Sequence, residues 1–178
     1  MSYADKDQEL EYLQYFISAR ESATGERLEL VKAGESPDFL CRRPSGSVVG
    51  VEHTKVAYEA SLSEIKRVLG ESREIDNFEL FWAAHSSASK KDKKRKQPHW
   101  QTPNATILVL DLVEGYRLED WPTDSSLASD FAEFGFIEVW LSDYSSVEAF
   151  REVTLLGIYP KNIWGLNGQG YLYGKPYG

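Results

Sequence analysis

A single cysteine, Cys41, stands among 178 residues, so no internal disulfide can form and a reducing, cytoplasmic compartment is the expectation. Long apolar runs are missing too. The longest uncharged ones, Thr106 to Leu110 and Phe136 to Leu141, fall far short of the roughly 20 residues a bilayer-spanning helix needs, and no membrane span is expected. The first residues, Met1-Ser2-Tyr3-Ala4-Asp5, are polar and acidic and lack the basic-then-apolar order of a secretory signal. Positive charge is in deficit: 20 Lys and Arg against 28 Asp and Glu give a net charge of −8, which repels nucleic acid globally. One cysteine and three scattered histidines give neither zinc-ligand spacing nor a Ser-His-Asp arrangement. The glycines from Gly165 to Gly170 neither follow a clear strand nor open a helix, so no phosphate-binding loop is present.

What the chain does have is apolar side chain, 42% of residues with 13% aromatic, enough to offset the entropy of ordering a single α/β domain spanning residues 1–178. Its cations are also concentrated. Lys90, Lys91, Lys93, Lys94, Arg95 and Lys96 fill six of seven consecutive positions, interrupted only by Asp92. Lys90, Lys91, Lys93, Lys94 and Lys96 are therefore the candidate contacts to a polyanion backbone, although such a run also reads as a solvated helix end.

Periodicity gives the elements. Leu10, Leu13, Phe16 and Ile17 recur three or four apart and predict a helix from Gln8 to Glu21, closed by Thr24 and Gly25. Arg27 to Val31 reads as a short strand. Asp38 to Cys41 and Val48 to Thr54 read as two more, joined through Pro44-Ser45-Gly46. Ser61 and Glu64 could form a capping box for a helix through Leu69, and Asp76 to Ser89 a second helix running into the lysines. Ile107 to Leu112 and Ile137 to Leu141 are compact apolar strands suited to two-sided burial, and Val147 to Val153 suits a short helix. Asn167-Gly168 predicts the turn of a C-terminal hairpin with aromatic arms. A mixed sheet flanked by helices follows, in the order αβββαβ, then an extra strand and that hairpin.

The hairpin holds the chemistry. With a three-residue loop carrying Gly46 in the left-handed conformation, Arg43 pairs with Ser47 and Asp38 falls opposite Glu52. Cross-strand partners share a face with Cβ atoms about 5 Å apart, where two carboxylates repel unless a cation lies between them. Magnesium, or manganese in its place, suits such a site because it accepts a few carboxylates, several waters and substrate phosphate oxygens. Glu9 lies four and seven residues before Leu13 and Phe16 on the same helical stripe and is a candidate third carboxylate.

Pro37-Asp38 followed by Glu52-His53-Thr54, after a helix carrying Glu9, resembles the PD-(D/E)xK nuclease superfamily over roughly Gln8 to Leu112. The resemblance implies a restriction-endonuclease-like core and a metal-dependent nuclease acting on DNA or, alternatively, RNA. It also implies Asp38 and Glu52 as magnesium ligands and Glu9 as an auxiliary one. The pattern is broken at Thr54, two residues after Glu52, where the family carries a lysine that positions or activates water. Lys55 could replace it only through a strand bulge, and Lys90, Lys93 or Lys94 could do so from the following helical region.

Other readings stand beside these. Asp38 could be a turn residue after Pro37, Glu52 an edge-strand charge, Glu9 a solvated helix residue and His53 a packing residue on the opposite face. Trp164, Tyr171, Tyr173 and Tyr177 could stack on unpaired bases or cover a sheet end. The alternatives to a nuclease are a catalytically inactive module on this fold, binding a protein partner or nucleic acid, and a structural subunit forming a homodimer through its C-terminal hairpin.

Overall fold

A computed structural model describes residues 3–56, 78–112, 116–122, 130–160 and 172–173. The helix predicted through Leu69, the Asn167-Gly168 turn, and Trp164, Tyr171 and Tyr177 lie outside these residues, whereas Tyr173 lies within them.

Helix α1 runs from Tyr3 to Thr24, longer at both ends than its apolar stripe requires. Gly25, at φ 74°, ends it, its N–H bonding Glu21 O. Leu13, Phe16, Ile17, Arg20 and Ala23 form its buried stripe. Strands β1 (Glu29–Ala33), β2 (Phe39–Arg42) and β3 (Val48–Lys55) follow as an antiparallel meander. Helix α2 (Glu79–Arg95) leads into β4 (Thr106–Leu112), which pairs parallel to β3. β5 (Glu138–Asp143) continues parallel to β4, and β6 (Thr154–Tyr159) and the two-residue β7 (Leu172–Tyr173) extend the sheet antiparallel. The seven strands lie in sequence order. The chain is thus an α/β fold with a mixed sheet between helices.

Three sequence expectations are corrected. α2 continues through the lysine run to Arg95, and the cations of its last turn, Lys93, Lys94 and Arg95, complement the negative end of the helix dipole. The helix expected over Val147 to Val153 is one turn, α3 (Val147–Phe150), stopped where Arg151 turns left-handed at φ 55°. β6 was not expected at all. Its Thr-Leu-Leu-Gly-Ile-Tyr run falls on residues left unassigned between that helix and the hairpin.

Alternation in the strands splits the core into two layers. Val49, Val51, Ile107, Val109 and Trp140 pack against α1, whereas Leu108, Leu110, Val139 and Leu141 pack with Leu80, Ala84 and Ala88 of α2. At the β5 start, Arg20 grips the buried Glu138 with two hydrogen bonds of 2.9 and 2.7 Å, and Trp140 Nε1 donates to the same carboxylate at 2.8 Å. This charge is fully paired and holds α1 to the sheet. Among the described residues no helix is long and apolar enough to cross a membrane.

Candidate active site

The hairpin register is the expected one. Phe39 pairs with Val51, Leu40 with Gly50, Cys41 with Val49 and Arg42 with Val48. The Arg43 N–H donates to Ser47 O at 2.9 Å and Gly46 sits at φ 90°, closing the three-residue loop. Extending the register by one step sets Asp38 opposite Glu52.

There the backbone ladder stops and side chains take over. Glu52 Oε2 accepts the Asp38 backbone N–H at 3.0 Å, and Asp38 Oδ2 accepts the His53 backbone N–H at 2.9 Å. Glu52 is 2% exposed, and its Oε1 meets the ammonium of Lys91, reaching in from α2. Burial, and then the Glu52 charge, push the Asp38 carboxyl up to about 6, against the opposing pull of the His53 N–H, Lys91 and His53. A raised carboxyl beside a second carboxylate is the electrostatic condition that a cation relieves.

Gly50, two residues before Glu52 on the same face, gives this corner its closeness. A Cβ built there would lie 2.5 Å from Thr102 Oγ1 and 2.6 Å from Pro37 Cγ. Only a residue without Cβ lets Pro37 and Thr102 close over β3.

Lys91 is the functional candidate that the sequence reading assigned to a surface patch. It sits seven residues after Ala84 and three after Ala88, both buried, so it shares their side of α2. Its carboxylate contact removes it from the expected row of phosphate-facing lysines. Lys96 pairs with Asp92 at 3.0 Å, and Lys90, Lys93, Lys94 and Lys96 are exposed around the helix end.

Thr54 is half-buried on the Glu52 face. Lys55 lies on the other, because β3 pairs with β4 regularly from Gly50–Thr106 to Lys55–Asp111 and no bulge turns it. The bulge that would let Lys55 replace the missing lysine is therefore absent from β3. The expected three-carboxylate group is not formed either. Glu9 lines a cavity with His53, Thr54, Lys55 and Asp111, and no group of three or more His, Cys, Asp or Glu among the described residues is arranged to hold a metal ion.

On that α1 side lies a second polar cluster that the sequence reading missed. Asp111 Oδ1 accepts from Ser142 Oγ and Tyr144 OH, each at 2.8 Å. With the carboxylate able only to accept, His53 Nδ1 carries the proton and donates to Asp111 Oδ2 at 3.0 Å. Burial lowers the imidazole pKa, but Asp111, with Asp38 and Glu52 behind it, outweighs this and holds it above the ordinary value. Burial and Asp111 likewise hold the Tyr144 phenol well above its usual range, keeping it a donor. His53 Nε2 has no hydrogen-bond partner among the described residues. The one signal for this cluster is a charged residue, Asp111, after the apolar run Ile107 to Leu110 of β4.

Comparison with known proteins finds no matching family model, curated protein or solved structure.

Proposed function

We propose that the chain is a metal-dependent nuclease with a restriction-endonuclease-like core, hydrolysing phosphodiester bonds where β2 and β3 part. The observation that carries this reading is the Lys91 ammonium on Glu52, opposite Asp38: two carboxylates and a lysine assembled from three elements, with the lysine on α2 where Thr54 leaves the strand without one. Support for the core comes from the element order, helix, three antiparallel strands, helix, then a strand parallel to the third.

The donor set suits magnesium or manganese, since two carboxylates with the remainder supplied by water and phosphate is a common arrangement for such ions. Asp38 and Glu52 would hold the ion, which supplies positive charge to a phosphoryl oxygen and lowers the pKa of water. Lys91 pairs with the buried Glu52 side chain and places a fixed cation where negative charge accumulates as water attacks phosphorus. In that step a water oxygen bonds to phosphorus, the ester P–O bond breaks and the leaving oxygen takes up a proton. Lys90, Lys93, Lys94 and Lys96, exposed at the α2 end, would bind backbone phosphates without reading sequence, offsetting the net charge of −8 locally.

A second reading is a nuclease-fold module without hydrolytic activity, binding nucleic acid or a basic protein. One observation favours it: both Glu52 oxygens already have partners, so the pair also serves as a structural brace. Incubation with plasmid, single-stranded DNA and RNA in magnesium or manganese separates the two. Cleavage by the native chain and its loss in Asp38→Ala support the nuclease. No cleavage of any substrate, or cleavage unchanged in Asp38→Ala, rejects it.

A further inference from the structure

The cavity on the α1 side of β3 is a second feature with binding chemistry, and the acid pair does not account for it. It encloses about 350 Å³, within the range of small-ligand clefts, and lies at the C-terminal ends of the parallel strands β3 and β4, where open α/β sheets bind ligands. Gln8, Glu9 and Tyr12 of α1 form one wall, and His53, Thr54, Lys55 and Asp111 form the other.

We infer that this cavity receives one unpaired nucleotide of a nucleic-acid strand whose neighbouring phosphodiester lies at Asp38 and Glu52. The inference rests on the nuclease reading for the neighbouring phosphodiester and on the cavity's own residues for the nucleotide. Tyr12 brings an aromatic ring that is already fixed: Tyr144 stacks on it with centroids 4.0 Å apart and planes at 26°, and the Tyr144 hydroxyl is in turn held by Asp111. An aromatic ring held in this way loses little freedom when a base packs on it, and stacking accepts any base. The Gln8 amide offers a donor and an acceptor side by side, the pattern that reads a base edge. Lys55, exposed at the mouth, supplies a cation for the nucleotide's phosphate.

Position links the two sites. His53 lends its backbone N–H to Asp38 and its side chain to Asp111, so the acid pair and the cavity lie on opposite faces of β3 and share this residue. A duplex keeps its bases stacked, so a base can occupy the cavity only in a single strand, at a frayed end or after leaving the stack.

The test is a nitrogen-15 NMR titration of the full chain with each ribo- and deoxyribonucleoside 5′-monophosphate in turn, and with ribose 5-phosphate as the probe that lacks a base. The expected result is that at least one mononucleotide shifts the Gln8 side-chain amide and the Thr54 and Lys55 backbone amides. It should bind about tenfold more tightly than ribose 5-phosphate, and Gln8→Ala or Tyr12→Leu should each weaken it by about tenfold. Gln8 is exposed, so its substitution leaves the fold intact even if Tyr12→Leu does not fold. No shift at these residues, equal binding of ribose 5-phosphate, or unchanged affinity in Gln8→Ala overturns the inference. Its failure is distinct from that of the nuclease reading. Mononucleotide binding by a chain that cleaves nothing removes the nuclease and keeps the pocket, and cleavage without cavity binding does the reverse.

Discussion

Glu52 Oε2 accepts the backbone N–H of Asp38 at 3.0 Å, while Asp38 Oδ2 accepts the backbone N–H of the residue after Glu52 at 2.9 Å. Each carboxylate replaces a carbonyl at the point where β2 and β3 part, so the pair braces the hairpin as well as concentrating charge.

That double role gives Asp38 a definite pH signature. Its folded pKa of about 6 exceeds the ordinary 3.8, so between these values the folded chain keeps a proton that the unfolded chain has lost. The contribution is fully present below about pH 4 and fades as pH rises through about 6. In metal-free buffer, urea denaturation should show native stability falling by about 1–3 kcal/mol relative to Asp38→Asn across that window. Magnesium added at neutral pH should restore part of the loss, because it favours the ionised pair.

Lys91→Met removes the ammonium while keeping most of the chain length. Cleavage should fall by about a hundredfold or more, since a fixed charge at the developing phosphate charge is lost, and Lys91→Arg should retain part of it. Steady-state rates on a labelled oligonucleotide measure this. A loss confined to KM would place Lys91 in substrate binding instead.

Gly50→Ala forces a methyl group against Thr102 Oγ1 and Pro37 Cγ, at 2.5 and 2.6 Å. The expected cost is about 1–3 kcal/mol in urea denaturation, and because Pro37 must move, Asp38 moves with it. Cleavage should drop even where the variant remains folded.

Lys93 and Lys94 are exposed in the last turn of α2. Changing each to Ala should weaken nucleic-acid binding almost equally for all sequences and lower the salt slope by about 1 per lysine. Fluorescence anisotropy at several salt concentrations measures both. A change in sequence preference would instead mean base contacts.

The hairpin was legible in the sequence because Pro44-Ser45-Gly46 sets the loop and period-two alternation then dictates the register, leaving Asp38 opposite Glu52. Lys91 was not legible, since six cations in seven positions hide which one turns inward. Only the phase from Ala84 and Ala88 singles it out. Helical spacing correctly put Leu13 and Phe16 in the core, yet it could not say that Glu9 lines the cavity with His53 and Asp111 instead of completing a three-carboxylate group with Asp38 and Glu52. The Asp111 cluster depends on the parallel β3–β4 register, a pairing between residues far apart in the chain that no local pattern encodes. β6 was hidden because Gly157 interrupts its apolar run and the preceding residues resemble a helix.

Anomalous diffraction from crystals soaked in manganese decides whether Asp38 and Glu52 form one divalent-ion site beside Lys91. The expected result is a single anomalous peak within coordination distance of both carboxylates, absent in Asp38→Ala crystals. No peak there under saturating manganese, with Asp38 and Glu52 still bonded only to the backbone and Lys91, would contradict it.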